Sequence, residues 1–177
     1  SQVNTNVLLK VLQNLLIEGV PIRDMRTIAE ALAAAGVRSQ DPGALTAAVR
    51  IALSRVIVQG IYGNAAELAV MTLEPTLEQI LLKAVQQSLQ QSSQQQQGVE
   101  DSMVIEPAMA ERLQRSLLNG AQNQEVAGRP PVLLVPAPLR APLSRFVRFT
   151  INGLRVLSYQ EIPDNKKITI TATIGQQ

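Results

Sequence analysis

The stretch from Pro131 to Gln160, PVLLVPAPLRAPLSRFVRFTINGLRVLSYQ, decides the fold. Val132–Val135 is a short uninterrupted apolar run, the pattern of a strand buried on both faces. Pro136, Pro138 and Pro142 surround the start of a helix that carries Leu143, Phe146 and Val147, and Gly153 breaks it. Arg155–Gln160 reads as a second strand. Upstream, Pro107 to about Gln122 has helical spacing with Met109, Leu113 and Leu117 inward. Downstream, Pro163-Asp164-Asn165 turns the chain and Lys167–Gly175 alternates. Ile168, Ile170, Ala172 and Ile174 are expected on one side of that strand, and Thr169, Thr171 and Thr173 on the other. The order helix, strand, helix, strand, strand predicts a small α/β unit over residues 99–177.

The first half is mainly helical. Val7, Leu8, Val11, Leu12, Leu15 and Leu16 recur at helical spacing, and Gly19 is placed to stop that helix. Pro21 restarts the chain. Met25, Ile28, Ala29 and Leu32 mark a second helix ending at Gly36, with Asp24 where a carboxylate meets the positive end of the helix dipole. Asp41-Pro42 is an N-cap followed by proline at the first helical position. Leu45, Ala48, Val49, Ala52, Leu53 and Val56 then trace a third helix, closed by Gly60 and Gly63. Glu67–Leu73 reads as a short strand, and Pro75 opens a fourth helix with Leu77, Ile80, Leu81, Ala84 and Val85 on one face. Gln86–Gly98 is rich in Gln and Ser and has little apolar surface to bury, so it reads as a helix tail fading into a linker. The predicted class is α+β: a helical subdomain at 1–88, a glutamine-rich linker at 89–98 and a small α/β subdomain at 99–177.

The chain has no His, no Cys and no Trp, and aromatic residues make up only 2% of it, so its core must be aliphatic. Without Cys and His the usual zinc, copper and iron–sulfur sites lose their ligands. Thiol nucleophiles and Ser-His-Asp relays are excluded for the same reason. A Ser-Lys or carboxylate site stays open and would need a pocket converging on Ser158 or Glu161. The other carboxylates have plainer roles: Glu74 and Glu78 flank a helix start, and Glu161 and Asp164 bracket Pro163 in a turn. Gly60-Ile61-Tyr62-Gly63 lacks the Lys-Ser/Thr of a P-loop. Neither an enzyme nor a cofactor is predicted. No stretch approaches the roughly 20 apolar residues of a membrane helix. The chain opens inside a helical pattern with no preceding methionine, and is read as a soluble fragment of a larger protein.

The net charge of +2 is unevenly spread: residues 1–88 carry seven basic and seven acidic groups, and residues 126–177 carry seven and two. Arg23, Arg26, Arg38, Arg50 and Arg55 sit on or near three short helices followed by a strand, which admits a winged-helix nucleic-acid reading. Glu18, Asp24, Glu30 and Asp41 offset them, and a solvated face or a protein–protein interface, where arginine is enriched, accounts for the same residues. Further on, Arg140, Arg145, Arg148, Arg155, Lys166 and Lys167 form a basic cluster. Arg145 and Arg148, three apart, share a helix face. The cluster is either a solvated face or a docking surface for an acidic protein.

Four segments carry a resemblance: LLIEGVPIRDMRTIAEAL at Leu15–Leu32, MTLEPTLE at Met71–Glu78, PVLLVPAPLRAPL at Pro131–Leu143 and LRVLSYQEIP at Leu154–Pro163. In this order and at these separations they resemble the C-terminal cytoplasmic domain of the export-gate family of bacterial type III secretion, with its flagellar FlhA and virulence LcrD/InvA-like members. EGVPIRDMRTI and VLSYQEIP are the specific pair, and the resemblance covers nearly the whole chain. It leaves flagellar and virulence members open, the glutamine-rich linker leaning toward the latter. It implies an inner-membrane protein whose cytoplasmic part has four subdomains, of which this chain holds the last two. It implies a nine-membered ring, contacts with the stalk protein of the ATPase complex, and docking of chaperone–substrate complexes. With the first two subdomains missing, the chaperone-docking surface would be incomplete. Pro21 stands where a helix-capping Ser is expected in relatives. Ring contacts are expected at Arg23, Asp24, Arg26, Arg50 and Arg55, since opposite charges on two faces suit a head-to-tail ring. Partner docking is expected at Arg140, Arg145, Arg148 and Lys166.

Overall fold

The computed structural model describes residues 3–94 and 103–175. Its residues group into two compact units. One comprises Ser1–Asn64 with Gln160–Pro163, the other Ala65–Tyr159 with Asp164–Gln177.

The first unit is built from four helices: α1 (Thr5–Ile17), α2 (Met25–Gly36), α3 (Pro42–Ala52) and α4 (Ser54–Tyr62). The expected boundary signals act locally. Gly19, at φ 73°, lets the backbone N–H groups of Gly19 and Val20 turn back to the carbonyls of Leu16 and Leu15. Asp41 caps α3 by accepting from Ala44 N at 2.9 Å, with Pro42 behind it. Pro21 lies upstream of α2, whose cap is Asp24. Val11, Leu15, Ile28, Leu32, Leu45, Val49, Leu53, Ile57 and Val58 form the aliphatic interior. The third helix is not continuous as expected. It breaks at Leu53 into α3 and α4, which bend by 69°. The bend keeps Leu53, Ile57 and Val58 buried and leaves Val56 exposed, and Gly60 lies inside α4. No single helix among the described residues is long and apolar enough to cross a membrane.

The second unit is a parallel four-stranded sheet in the order β3-β2-β1-β4, from β1 (Glu67–Leu73), β2 (Val132–Val135), β3 (Arg155–Ser158) and β4 (Lys167–Ile174). Helices α5 (Pro75–Gln94), α6 (Pro107–Val126) and α7 (Ala137–Val147) complete it. Their inward residues, among them Leu81, Val85, Leu113, Leu117, Leu139 and Leu143, share one core with Met71, Leu133, Val135, Val156 and Ile174. Gly120 of α6 permits close approach: a Cβ there would meet Met71 Sδ and Ile174 Cδ1, each at 2.9 Å. Every residue of β2 is buried, as a central strand in a parallel sheet requires.

Four expectations are corrected here. Glu67–Leu73 is no appendage of the helical half. It lies between β2 and β4 in the sheet, so β1 and α5 belong to the second unit, and among the described residues no strand falls in the unit of α1–α4. The two compact units divide after Asn64, not in the glutamine-rich stretch. Residues 89–94 of that stretch continue α5, and 95–98 lie outside the described residues. The alternation of β4 breaks. Val70 pairs with Ile170 but Met71 with Ala172, so Thr171 is an extra residue, its hydroxyl bonded to Val70 O and Gln124 Oε1. A one-residue bulge flips the strand's faces. Ala172 and Ile174 therefore join the helix-covered core, while Ile168 and Ile170 stay 36% and 60% exposed. The expected second strand also ends early, at Ser158, and a 3-10 turn, Tyr159–Glu161, follows.

Loss of the α3 cap tests the local part of this account: Asp41→Ala should lower stability by about 1 kcal/mol, whereas Asp41→Asn should stay near wild type, read as urea midpoints.

Candidate functional site

Helix α3 turns Arg50 into the helical unit, where it is 2% exposed. Its Nε donates to Glu161 Oε2 at 2.7 Å and its Nη2 to Glu161 Oε1 at 3.3 Å. This is a two-point guanidinium–carboxylate pair, the geometry that best offsets the loss of water around both charges. Glu18 adds a second carboxylate, with Oε1 3.9 Å from Arg50 Nη1. Glu18 belongs to EGVPIRDMRTI and Glu161 to VLSYQEIP. The two most specific sequence segments thus supply both acids around one arginine. Glu161 is committed to this pair, which removes it as the centre of an acid–base pocket, and Ser158 is itself buried. Arg50 was expected at a ring interface. It is instead enclosed in its own unit and bonded to Glu161.

The remaining ring candidates lie at the surface. Arg23, Asp24, Arg26 and Arg55 are all exposed. Arg26 pairs with Glu30 one turn on, at 3.3 Å, with both side chains largely in water. Such a pair is weak and can be exchanged for a partner's charge. Asp24 is the α2 cap, accepting from Thr27 Oγ1 at 2.6 Å and Thr27 N at 3.1 Å. These hydrogen bonds, with Arg26 nearby, hold its carboxyl below the usual 3.8. Glu74 is similarly lowered by the N–H groups of Thr76 and Leu77 at the start of α5.

The docking candidates separate the same way. Arg140, expected to dock a partner, is buried on the inner side of α7, where Nη1 reaches Val156 O at 3.5 Å. Arg145 and Arg148 are half-buried at the end of α7, where a cation also suits the negative end of the helix dipole. Lys166 donates Nζ to Ala65 O at 2.7 Å and so ties the approach to β4 to the approach to β1. Arg145 and Arg148 share the end of α7, while Lys166 stands at the approach to β4. One surface group was missed. Phe149 is 88% exposed, just after a buried apolar stripe, and its place outside the helical period was the available signal.

The FHIPEP family profile matches residues 1–167. The chain is similar to the flagellar biosynthesis protein FlhA of Proteus mirabilis, at 44% identity over 171 residues, covering 97% of this chain and 23% of the relative. It therefore spans about a quarter of that relative's length. Among solved structures it is similar to Chlamydia pneumoniae CdsV in complex with CdsO, with TM-score 0.84 and 24% identity over 98% of this chain and 48% of the other. It is also similar to the nonameric EscV cytosolic domain of a type III secretion system, with TM-score 0.75 and 25% identity over 96% and 47%.

Glu161→Ala should cost about 3 kcal/mol in chemical denaturation, because it leaves Arg50 buried with only the longer Glu18 contact to offset its charge. Arg50→Met combined with Glu161→Leu should recover most of that loss; an equally unstable double variant would contradict the account. Asp24 gives a pH test. Its depressed folded value means its contribution is present above the unfolded value and disappears as pH falls through the folded one. The stability difference between wild type and Asp24→Asn should therefore shrink as the pH drops below 3.8, followed by urea midpoints.

Proposed function

Because the chain belongs to the FHIPEP family, we propose that it is a ring-forming and docking part of a type III export gate, on the cytoplasmic side of the bacterial inner membrane. The observation that carries this reading is the likeness in fold to a cytosolic domain that assembles as a nonamer. A head-to-tail ring needs two different faces on one subunit. Arg23, Arg26 and Arg55 on the helical unit supply exposed cations for one of them, and Asp24 an exposed carboxylate. Arg50 acts behind that surface by holding the helices in place.

The second unit supplies the docking surface. Its stretch 126–160 contains five arginines and no acid. Arg145 and Arg148 are the reachable pair we assign to an acidic partner, with the stalk protein of the ATPase complex as the expected one and Lys166 at its margin. The complete gate, of which this chain is a part, would also receive chaperone–substrate complexes. Its work is binding and assembly, with no bond made or broken and no cofactor required. A winged-helix nucleic-acid role is disfavoured because the strand following the helices is an inner strand of a parallel sheet.

The ring reading is tested on the chain extended upstream to the rest of the cytoplasmic part. The wild-type protein should sediment above monomer with rising concentration. Arg23→Glu with Arg26→Glu should shift it back toward monomer while leaving the denaturation midpoint unchanged, and an unaltered sedimentation profile would remove these residues from the interface.

A further inference from the structure

The two most exposed large apolar side chains among the described residues are Val126, at 89%, and Phe149, at 88%. Both lie at one end of the α/β unit. Helix α6 ends at Val126 just before β2, and α7 ends at Val147 just before β3. In a parallel sheet, helices that feed neighbouring strands finish at the same, amino-terminal, edge. The turn between α7 and β3 lies near the end of α6: Glu125 Oε1 is 3.9 Å from where a Cβ on Gly153 would stand.

Phe149 is held outward by its turn. Thr150 N and Ile151 N both donate to Val147 O, at 3.2 and 3.0 Å, and Gly153 reverses the chain at φ 85°. Val147 and Ile151, on either side of Phe149, are buried. The ring is thus displayed on a short segment pinned at both ends, in a chain with only two Phe, two Tyr and no Trp. A rigid exposed aromatic beside arginines is the composition of an interface anchor. Charge selects the partner. Arg145 and Arg148 stand just before Phe149 in sequence, and residues 126–160 hold no acid, so that against Glu125 this end stays basic.

We propose that this end of the unit is an anchoring surface for an acidic amphipathic protein segment, with Phe149 and Val126 entering its apolar stripe and Arg145 and Arg148 meeting carboxylates beside it. The proposal rests on the docking reading above and adds the apolar anchor to it. A lipid surface fits less well, because membrane attachment needs a broad apolar face or a polybasic run of about four to eight cations, and here two separate side chains project.

The absence of tryptophan makes the test direct, since Phe149→Trp places the sole indole at the anchor. The intact chain carrying it is titrated with a synthetic helical peptide of Leu and Glu, with the same peptide bearing Ser for Leu, and with phosphatidylserine vesicles. The Leu/Glu peptide should shift the emission to the blue, and the Ser/Glu peptide should not. In the otherwise native chain, Phe149→Ser should weaken peptide binding about tenfold or more, a hot-spot-sized effect. Its far-UV circular dichroism should be unchanged, since the side chain is already in water. Arg145→Glu with Arg148→Glu should abolish binding. If that double variant binds as well as wild type, the docking reading itself fails. If it loses binding while Phe149→Ser does not, docking by charge stands and the anchor is overturned. A blue shift with vesicles and none with either peptide assigns the surface to lipid and also overturns the proposal.

Discussion

A guanidinium taken out of water must find a carboxylate of good geometry, and in the helical unit that carboxylate arrives 111 residues later in the chain. Glu161 holds Arg50 most closely, at 2.7 Å from Nε, while Glu18 Oε1 stands 3.9 Å from Nη1. The four helices therefore close around Arg50 only when Gln160–Pro163 is in place. This makes the unit discontinuous in sequence: the chain runs through three strands and three helices between α4 and the segment that completes the helical core. Loop-closure entropy grows only with the logarithm of length, so so distant a residue is affordable as a structural partner. The arrangement also gives a physical reason for the early end of β3. Ser158 is the last residue that pairs with β2, and the 3-10 turn after it carries Glu161 toward its arginine.

Local signals were legible and long-range ones were not. Asp41-Pro42, Gly19 and the run Val132–Val135 each act through bonds or burial a few residues away, and each has its expected role. The bulge at Thr171 does not, because it exists only relative to Val70 and Met71 on another strand. For the same reason the partners of β1 were invisible: a parallel pair is joined through long crossovers, and nothing in ELAVMTL names β2 or β4 as its neighbours. The glutamine-rich stretch misled in another way. Low apolar content says that a segment buries little, and a helix can satisfy its own backbone while doing so, as α5 does through Gln94.

The site residues were legible in type and half legible in place. Arg50 and Arg140 were chosen for charge, yet helical spacing points both inward. On α3 the buried positions are Leu45, Thr46, Val49 and Arg50; on α7 they include Leu139, Arg140, Leu143, Ser144 and Val147. In each helix the arginine follows a buried residue and stands four from another position of the same stripe. An arginine on an apolar stripe signals a buried partner. The identity of that partner, Glu161 for Arg50, could come only from the fold.

For the half-buried arginines at the end of α7, a structural role and the proposed docking role need not compete. Each helix ends with unsatisfied carbonyls and a partial negative charge, and a cation in its last turn stabilises it by a few tenths of a kcal/mol to about 1 kcal/mol. Arg145 occupies that position on α7. Because the sheet is parallel, the helices running back across it deliver their negative ends, and any arginines that answer them, to one edge. A basic surface there is thus a product of the topology, stabilising as it stands. What the topology does not require is an aromatic ring held in water beside it. Phe149 contributes little to the core from that position, and its exposure carries a solvation cost that burial against a partner would relieve.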